Sequence, residues 1–292
     1  ANANKNTPGP AGRKPFRFSL AGVLVAVFLA LVIFITLYPV LYALLGSLKT
    51  NQELTAGGDI MPKKFMWGNY YDAFIKSNFL LYSLNSLVVS LGSMVLALIT
   101  TSLAGYVLAR HWFPGKKVLM GLYTSMMFIS LGAVTLYPIY MFLDSLGMTR
   151  NLSGLILALT GGQIANVLLV MGFVKSVPRE LDEAAIIDGC SPFTIYWRII
   201  LPIIRPILGV VALFAFRGAW NDYITTLIMT IPRPDLMTIT VAVVQMKYNV
   251  NAAAEWHLML AGASLAIIPI LLVYFFTNRQ FITGLTAGAV KG

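Results

Sequence analysis

The chain has 292 residues, of which 58% are hydrophobic and 11% are charged, and its mean hydropathy is +0.78. This composition excludes an ordinary soluble domain, because too few polar residues are present to cover a water-exposed surface. The net charge of +10 would by itself suit a partner such as a nucleic acid or an acidic ligand. The single cysteine, Cys190, excludes an intrachain disulfide.

Six stretches are apolar and long enough to cross a hydrocarbon layer of ~30 Å, which takes about 20 helical residues. They predict an all-α integral membrane protein with six transmembrane helices, at residues 19–46, 80–109, 117–142, 152–174, 203–230 and 257–277. The first stretch follows Arg13, Lys14 and Arg17, as a signal peptide would, but its apolar part is too long and lacks a convincing small-residue cleavage site. We interpret it as a retained helix.

The distribution of lysine and arginine predicts the orientation of these helices, because such residues are retained on the cytoplasmic side. With the N-terminus inside, the inside segments contain thirteen Lys and Arg residues against four acids, and the outside segments contain seven against six. The remaining pair, Arg217 and Asp222, lies within the fifth predicted helix. The basic balance therefore reflects membrane topology, gives no evidence for nucleic acid, and places both termini in the cytoplasm.

The chain divides into a transmembrane domain, residues 19–277, and two cytoplasmic tails. Residues 1–18 are rich in Asn, Pro, Gly and Lys and predict a disordered tail. Residues 278–292 form the C-terminal tail. Residues 47–79 form an outside loop that is long enough to contain a short helix.

Residues 175–202 are too polar to span a membrane but contain the signals of two short helices. Pro178 suits a first turn, the three acidic residues that follow it favour a helix N-terminus, and Gly189 suits a C-terminal stop. A second helix can begin at Ser191-Pro192 and end near Leu201-Pro202.

One face of the first short helix is predicted to meet a partner. Its residues at i, i+3, i+4 and i+7 are Leu181, Ala184, Ala185 and Asp188. The two adjacent alanines allow a close approach. The alternative, an amphipathic helix lying in the membrane interface, would need larger apolar and basic faces than this helix carries.

The order of residues in segment 175–202 resembles the EAA signature of permease subunits in binding-protein-dependent ABC importers, where this segment forms coupling helices, and it is therefore called the coupling segment below. Glu183-Ala184-Ala185 and Asp188-Gly189 are followed, after nine further residues, by Ile199 and Leu201-Pro202. The chain is similar to the carbohydrate branch, and specifically to the smaller of the two permeases in maltose-type importers, also at Asn85-Ser86, Gly105–Arg110, Pro138-Ile139-Tyr140, Trp220–Tyr223 and Gly284–Gly288. Residues 1–64 contribute little to the match.

This resemblance implies a type I ABC importer permease fold in a bacterial inner membrane, and it implies partners. These are a second homologous permease subunit, two copies of a cytoplasmic ATPase subunit, a soluble substrate-binding protein and membrane lipid. It also implies that the ATPases are met by two groups of residues: Glu183, Ala184, Ala185, Asp188, Gly189, Leu201 and Pro202 in the coupling segment, and Gly284, Leu285, Thr286, Ala287 and Gly288 in the tail. Glu183 would pair with a basic residue of the ATPase.

The sequence contains no pattern for catalysis by this chain. It has no G-x-x-x-x-G-K-[ST] phosphate loop, no H-E-x-x-H and no Cys/His cluster. ATP and Mg are thus expected in the partner ATPases, and no cofactor or metal in this chain. Two other classes stay open: a secondary transporter, which usually carries several intramembrane carboxylates and an internal repeat, and a membrane scaffold.

Four polar or aromatic residues in the fifth predicted helix are candidates for the substrate pathway: Arg217, Trp220, Asn221 and Asp222. A helix that begins near Ile203 carries Arg217 about 21 Å along its axis, too deep for easy snorkelling to the surface. Such an arginine should face the bundle interior, a watered cavity or a partner permease. Asn221 shares its face, whereas Asp222 is rotated by about 140°.

We hypothesise that Arg217, Trp220 and Asn221 line the pathway, with the indole as a stacking face for sugar. The alternative for Arg217 is a purely structural contact with the partner permease. The family resemblance favours an oligosaccharide as substrate. Arg217 leaves open an anionic one, such as a glycerol phosphodiester or an acidic oligosaccharide like alginate.

The predicted topology can be tested with single cysteines in a Cys190-free background. Cysteines at Asn69 and Asn249 should react with an impermeant maleimide in intact cells, whereas one at Ser191 should not, because a bilayer separates it from the reagent. The opposite labelling pattern would invert the topology.

Overall fold

A computed structural model describes residues 20–76, 78–129, 132–247 and 254–289, with only the backbone described from residue 276 onward. The predicted tail 1–18 lies outside these ranges, as do residues 290–292. The described residues fall into two compact units, residues 20–43 and the described residues from 44 onward. In chain order the described α-helices are α1 (Leu20–Gly46), α2 (Asn51–Ala56), α3 (Gly68–Lys76), α4 (Phe79–Arg110), α5 (Lys116–Ser125), α6 (Leu136–Ser145), α7 (Leu152–Thr160), α8 (Ile164–Ser176), α9 (Glu180–Ile187), α10 (Pro192–Ile195), α11 (Leu201–Ile203), α12 (Arg205–Asn221), α13 (Ile224–Thr230), α14 (Ile239–Gln245) and α15 (Trp256–Ala289).

The described residues contain three helices that are individually long and apolar enough to cross a membrane: α1, α4 and α15. In the first unit, side chains 22–42 of α1 are all exposed, as suits a helix that meets lipid or another chain. The predicted bounds 19–46 and 80–109 agree with α1 and α4 within one residue. The last helix continues to Ala289, beyond the predicted end at 277, so the described part of the predicted C-terminal tail is helical.

The fourth and fifth predicted spans are helical but broken. Helices α7 and α8 are bent by 55°. The break contains Gly162, whose φ of +72° is a left-handed conformation that side-chain-bearing residues rarely adopt. The fifth span divides at Asp222-Tyr223 between α12 and α13. By length and composition, the described residues give up to five candidate spans if α7 with α8 counts as one and if the helix Pro192–Ile203, which is bent by 80° against α12, counts with α12 as another.

The third predicted span, 117–142, is also divided. It corresponds to α5 and α6, which are separated by a turn after Ser125 and by the 3₁₀ helix Gly132–Thr135. Gly132 has φ +54°. A left-handed residue at this point is incompatible with one continuous α-helix.

The outside loop predicted at 47–79 contains two short helices, α2 and α3. Asn69 is buried there, and its Nδ2 donates to the carbonyls of Ser47 and Lys49 at 2.7 and 2.8 Å. A cysteine at Asn69 would therefore be inaccessible to a maleimide. The exposed Lys64 is the better outside position for the labelling experiment.

Helix α4 is the central element of the second unit, and it packs against α8, α12, α7 and α14. Most of its buried residues are small. At Gly105 an added Cβ would lie 2.7 Å from Cγ1 of Val170 and 3.1 Å from the backbone nitrogen of Met171, both on α8. The glycine therefore sets the distance between α4 and α8.

Alanine substitutions at two helical glycines should change stability in opposite directions. Gly105→Ala should lower the melting temperature of the detergent-solubilised protein, because overpacking typically costs about 1–3 kcal/mol. Gly172→Ala is the matched control, since nothing lies within 4 Å of its added Cβ. It should raise the melting temperature slightly, because alanine is favoured over glycine in a helix by roughly 0.5–1 kcal/mol. Equal shifts in both variants would contradict close packing at Gly105.

Candidate functional site

The two short helices predicted in the coupling segment are confirmed. Helix α9 carries three acidic residues in its first turn, and it ends before Gly189, which has φ +78°. The second helix starts where Ser191 Oγ accepts the backbone N–H of Thr194 at 3.2 Å, with Pro192 in the first turn. It continues through a π-helical turn at Tyr196–Ile200 into α11. An 80° bend then separates this helix from α12.

The predicted partner-facing surface of α9 is only partly as expected. Leu181, Ala184 and Asp188 are exposed, but Ala185 is 5% exposed and packs into the core of its own chain. The two neighbouring alanines therefore face different surroundings. Glu183 is exposed and contributes to a cleft of about 220 Å³ between α9 and the end of α4.

Large apolar side chains are exposed on both short helices of the coupling segment. Ile187 is 86% exposed, and Ile186, Phe193 and Trp197 are also exposed. Phe193 and Trp197 stack with ring centroids 6.4 Å apart. An acidic group beside apolar and aromatic side chains is typical of a surface that another protein covers.

The coupling segment is fixed to the end of α4 by a largely buried ion pair. Arg110 Nε lies 2.7 Å from Oδ2 of Asp182, and the two side chains are 7% and 15% exposed. A second guanidinium nitrogen of Arg110 donates to the carbonyl of Val177 at 2.9 Å. The sequence showed both charged residues but not their pairing, because no local pattern links positions so far apart in the chain.

A second set of contacts joins α4 to the other helix of the segment. The hydroxyls of Ser102 and Tyr196 are 2.8 Å apart and buried. Tyr106 donates its hydroxyl to the carbonyl of Pro192 at 3.4 Å, and its ring lies 5.4 Å from that of Tyr196. Both short helices are thus attached to one transmembrane helix.

The motif Asn85-Ser86 has a structural role in the second unit. Asn85 donates Nδ2 to the carbonyls of Asp235 and Met237, both at 2.9 Å. Ser86 Oγ accepts the backbone N–H of Ile239 at 2.7 Å. These bonds fix the start of α14 against α4. Beside them, a hydrogen bond from the exposed Arg233 lowers the pKa of Asp235.

The four candidate pathway residues differ in exposure and in their contacts. Arg217 and Asn221 are exposed, and no hydrogen bond or ion pair of the Arg217 guanidinium occurs within the described part of the chain. Trp220 is 3% exposed and stacks on Phe216 at 5.7 Å, so its faces are occupied by its own core. Asp222 accepts bonds from the backbone and hydroxyl of Thr226 at 2.8 and 3.1 Å and thereby caps α13.

The remaining predicted residues, Gly284, Leu285, Thr286, Ala287 and Gly288, lie in the last turns of α15, where only the backbone is described. Leu201 and Pro202 lie in α11, at the end of the coupling segment. Among the described residues there is no group of three or more His, Cys, Asp or Glu side chains that could hold a metal ion.

The chain matches known transport proteins over most of its length. The family model described as "Binding-protein-dependent transport system inner membrane component" matches residues 65–285. The chain is 32% identical to the probable starch degradation products transport system permease protein AmyC of Thermoanaerobacterium thermosulfurigenes, over 87% of this chain and 91% of that protein. It is also 32% identical to the maltodextrin transport system permease protein MdxG of Bacillus subtilis (strain 168), over 91% and 94%.

The fold has a counterpart among solved structures. It is similar, with a TM-score of 0.76, to a chain in the crystal structure of a bacterial ABC transporter involved in the import of the acidic polysaccharide alginate. The similarity covers 94% of this chain and 100% of that chain, at 20% sequence identity. At this identity the comparison establishes the fold alone.

Proposed function

The chain belongs to the binding-protein-dependent transport system inner membrane component family, and we propose that it forms one half of the translocation pathway of an ATP-driven importer for a sugar or oligosaccharide. The main observation in support of this proposal is that the coupling segment forms a surface on which an acid and several apolar side chains are exposed. The relatives named for starch degradation products and maltodextrin support a carbohydrate substrate.

The proposal includes a specific assembly in the bacterial inner membrane. A second, homologous permease subunit supplies the other half of the pathway, and a soluble binding protein delivers substrate to the outside face. Two cytoplasmic ATPase subunits bind ATP and Mg, and this chain performs no catalysis. The coupling segment and residues 284–288 contact the ATPases, and both termini are cytoplasmic.

The surface of the coupling segment suits a protein partner better than lipid. Ile187 and Phe193 are 86% and 67% exposed, so their burial in a complex would be favourable by roughly 25 cal/mol per Å². Glu183 lies one helical turn before Ile187 and is the charged group that selects a partner, because complementary charge gives an interface its specificity. A basic residue in the ATPase cleft would meet it.

Glu183→Lys should abolish transport while membrane insertion is retained. The substitution places a like charge against the basic residue of the ATPase, which costs several kcal/mol at a docking surface. The measurement is co-purification of the ATPase subunits with the permease, together with ATP hydrolysis by the purified complex.

Glu180→Lys is the matched control, because it makes the same change of charge at another exposed position of the same helix turn. It should retain ATPase binding. A reversed charge in the ATPase should rescue Glu183→Lys. Normal ATPase binding and transport by Glu183→Lys would refute a docking role for this residue.

We also propose that the exposed face of α12 that carries Arg217 and Asn221 lines the pathway. Arg217 lies twelve residues after the start of α12, about 18 Å along its axis. The helix is interrupted directly after Asn221, and non-helical backbone at membrane depth is tolerated where it is buried in protein or lines a watered cavity. Trp220 supports this face from the core side through Phe216, and Asp222 holds the interruption by capping α13.

An anionic oligosaccharide is the second candidate substrate, because Arg217 is exposed at this depth without a described counter-charge. Arg217→Met separates the two candidates in proteoliposomes that contain the whole complex. A hydrogen bond to a charged group contributes about 1.5–3 kcal/mol, so loss of the guanidinium should reduce uptake of an alginate oligosaccharide roughly 10- to 100-fold if the substrate is anionic.

If the substrate is neutral, uptake of maltotriose should fall in Asn221→Ala and the complex should not transport the alginate oligosaccharide. Assembly, checked by size-exclusion chromatography, should be normal in both variants. Unchanged uptake of the transported sugar in both variants would remove these side chains from the pathway. A complex that fails to assemble only with Arg217→Met would assign Arg217 to the contact with the partner permease.

A further inference from the structure

Three side chains on one stripe of α4 contact the coupling segment. Ser102, Tyr106 and Arg110 are spaced four residues apart and so lie one above the other on the helix surface. Ser102 and Tyr106 contact the second short helix, and Arg110 contacts the first through Asp182. The stripe therefore connects both parts of the segment to the same transmembrane helix.

The coupling segment is also connected to α8 and α12 through the backbone, and both of these connections are bends. The side-chain contacts with α4, here called the lateral attachment, are of a different kind. On one side, α8 ends at Ser176, and α9 begins at Glu180 after Pro178. On the other side, the chain turns by 80° before Arg205. Bends of this kind absorb rotation, so a displacement of the segment is not transmitted through them as efficiently as through packed side chains.

The lateral attachment has the properties of a stiff joint. Arg110 and Asp182 are largely withdrawn from water, where screening is weak and the attraction between opposite charges is strong. Ala185 and Ile195, one from each short helix, are buried in the same core cluster as Tyr106 and Tyr196. Close-packed interiors transmit strain because they have low compressibility.

We infer that Ser102, Tyr106 and Arg110 form a clamp that makes the coupling segment and α4 move as one rigid body when the ATPases close. Arg110 and Asp182 are positioning residues in this device, because they act by fixing the orientation of α9. The inference rests on the proposed function, in which the coupling segment docks to the ATPases. It assigns α4 as the element that carries the ATPase movement into the membrane.

The test measures the distance between spin labels on the two clamped elements in the complete importer complex. Labels are placed at Leu91 on α4 and Glu180 on α9, both exposed, in a Cys190→Ser background. Leu91 lies nineteen residues before Arg110, about 28 Å along the helix, which suits dipolar spectroscopy. The nucleotide-free complex is compared with the complex trapped by ATP and vanadate.

In the wild-type clamp the label distance should stay the same within about 1 Å between the two states, as expected for one rigid body. In Asp182→Asn, which keeps the side-chain shape but removes the charge, the distance should shift or broaden by more than about 2 Å on trapping. Tyr196→Phe removes one hydroxyl only and should give a smaller change in the same direction. Reversal of the pair, Arg110→Asp with Asp182→Arg, should restore the wild-type behaviour.

A control with an intact pair is Ser191→Ala, which removes the N-terminal cap of the second helix but leaves Arg110 and Asp182 untouched. It should keep the wild-type distance. A wild-type distance that changes on trapping, or an Asp182→Asn distance that does not, would overturn the clamp. Failure of the wild-type chain to bind ATPase subunits or to reach the trapped state would instead overturn the proposed function.

Discussion

The close approach of neighbouring helices to one stripe of small residues on α4 is the contact on which the second unit depends. Apolar side chains gain little from helix association within lipid, so packing there depends on small residues that let backbones come close. The stripe descends the helix through buried positions three or four residues apart, namely Ser86, Ser90, Ser93, Ala97, Thr101 and Gly105. Helix α4 is continuous from Phe79 to Arg110, whereas the spans that pack against it are interrupted between α7 and α8 and after α12.

The sequence predicted α1 and α4 well because their bounds depend on hydrophobic length alone. It did not predict the breaks at Gly162 and Asp222, since an average over about 20 residues conceals a single residue with an unusual conformation. The caps of the short helices were predictable because Gly189 and Ser191 act on their own neighbours. These differences separate what local chemistry determines from what tertiary packing determines.

In the candidate site, too, local features could be predicted from the sequence and tertiary contacts could not. Glu183 was identified from its motif and is exposed as a docking residue must be. The attachment of α9 to the end of α4 could not be predicted, because the Arg110–Asp182 pair joins positions 72 residues apart. From the sequence alone, a basic residue at the end of any other helix could equally have paired with Asp182. The position of Trp220 also lay beyond prediction: its indole was expected to offer a stacking face for sugar, whereas it packs on Phe216 in the core.

Two arginines near the membrane have opposite electrostatic environments, and the difference assigns their roles. Arg110 has its counter-charge, Asp182, inside the chain and its side chain is nearly buried, so its charge is compensated before any partner arrives. Arg217 is exposed on α12 with no described counter-charge, and a charge at membrane depth is costly unless water, a partner or a ligand solvates it. Arg110 can therefore fix α9 to α4, whereas the guanidinium of Arg217 is available to interact with a substrate or a partner.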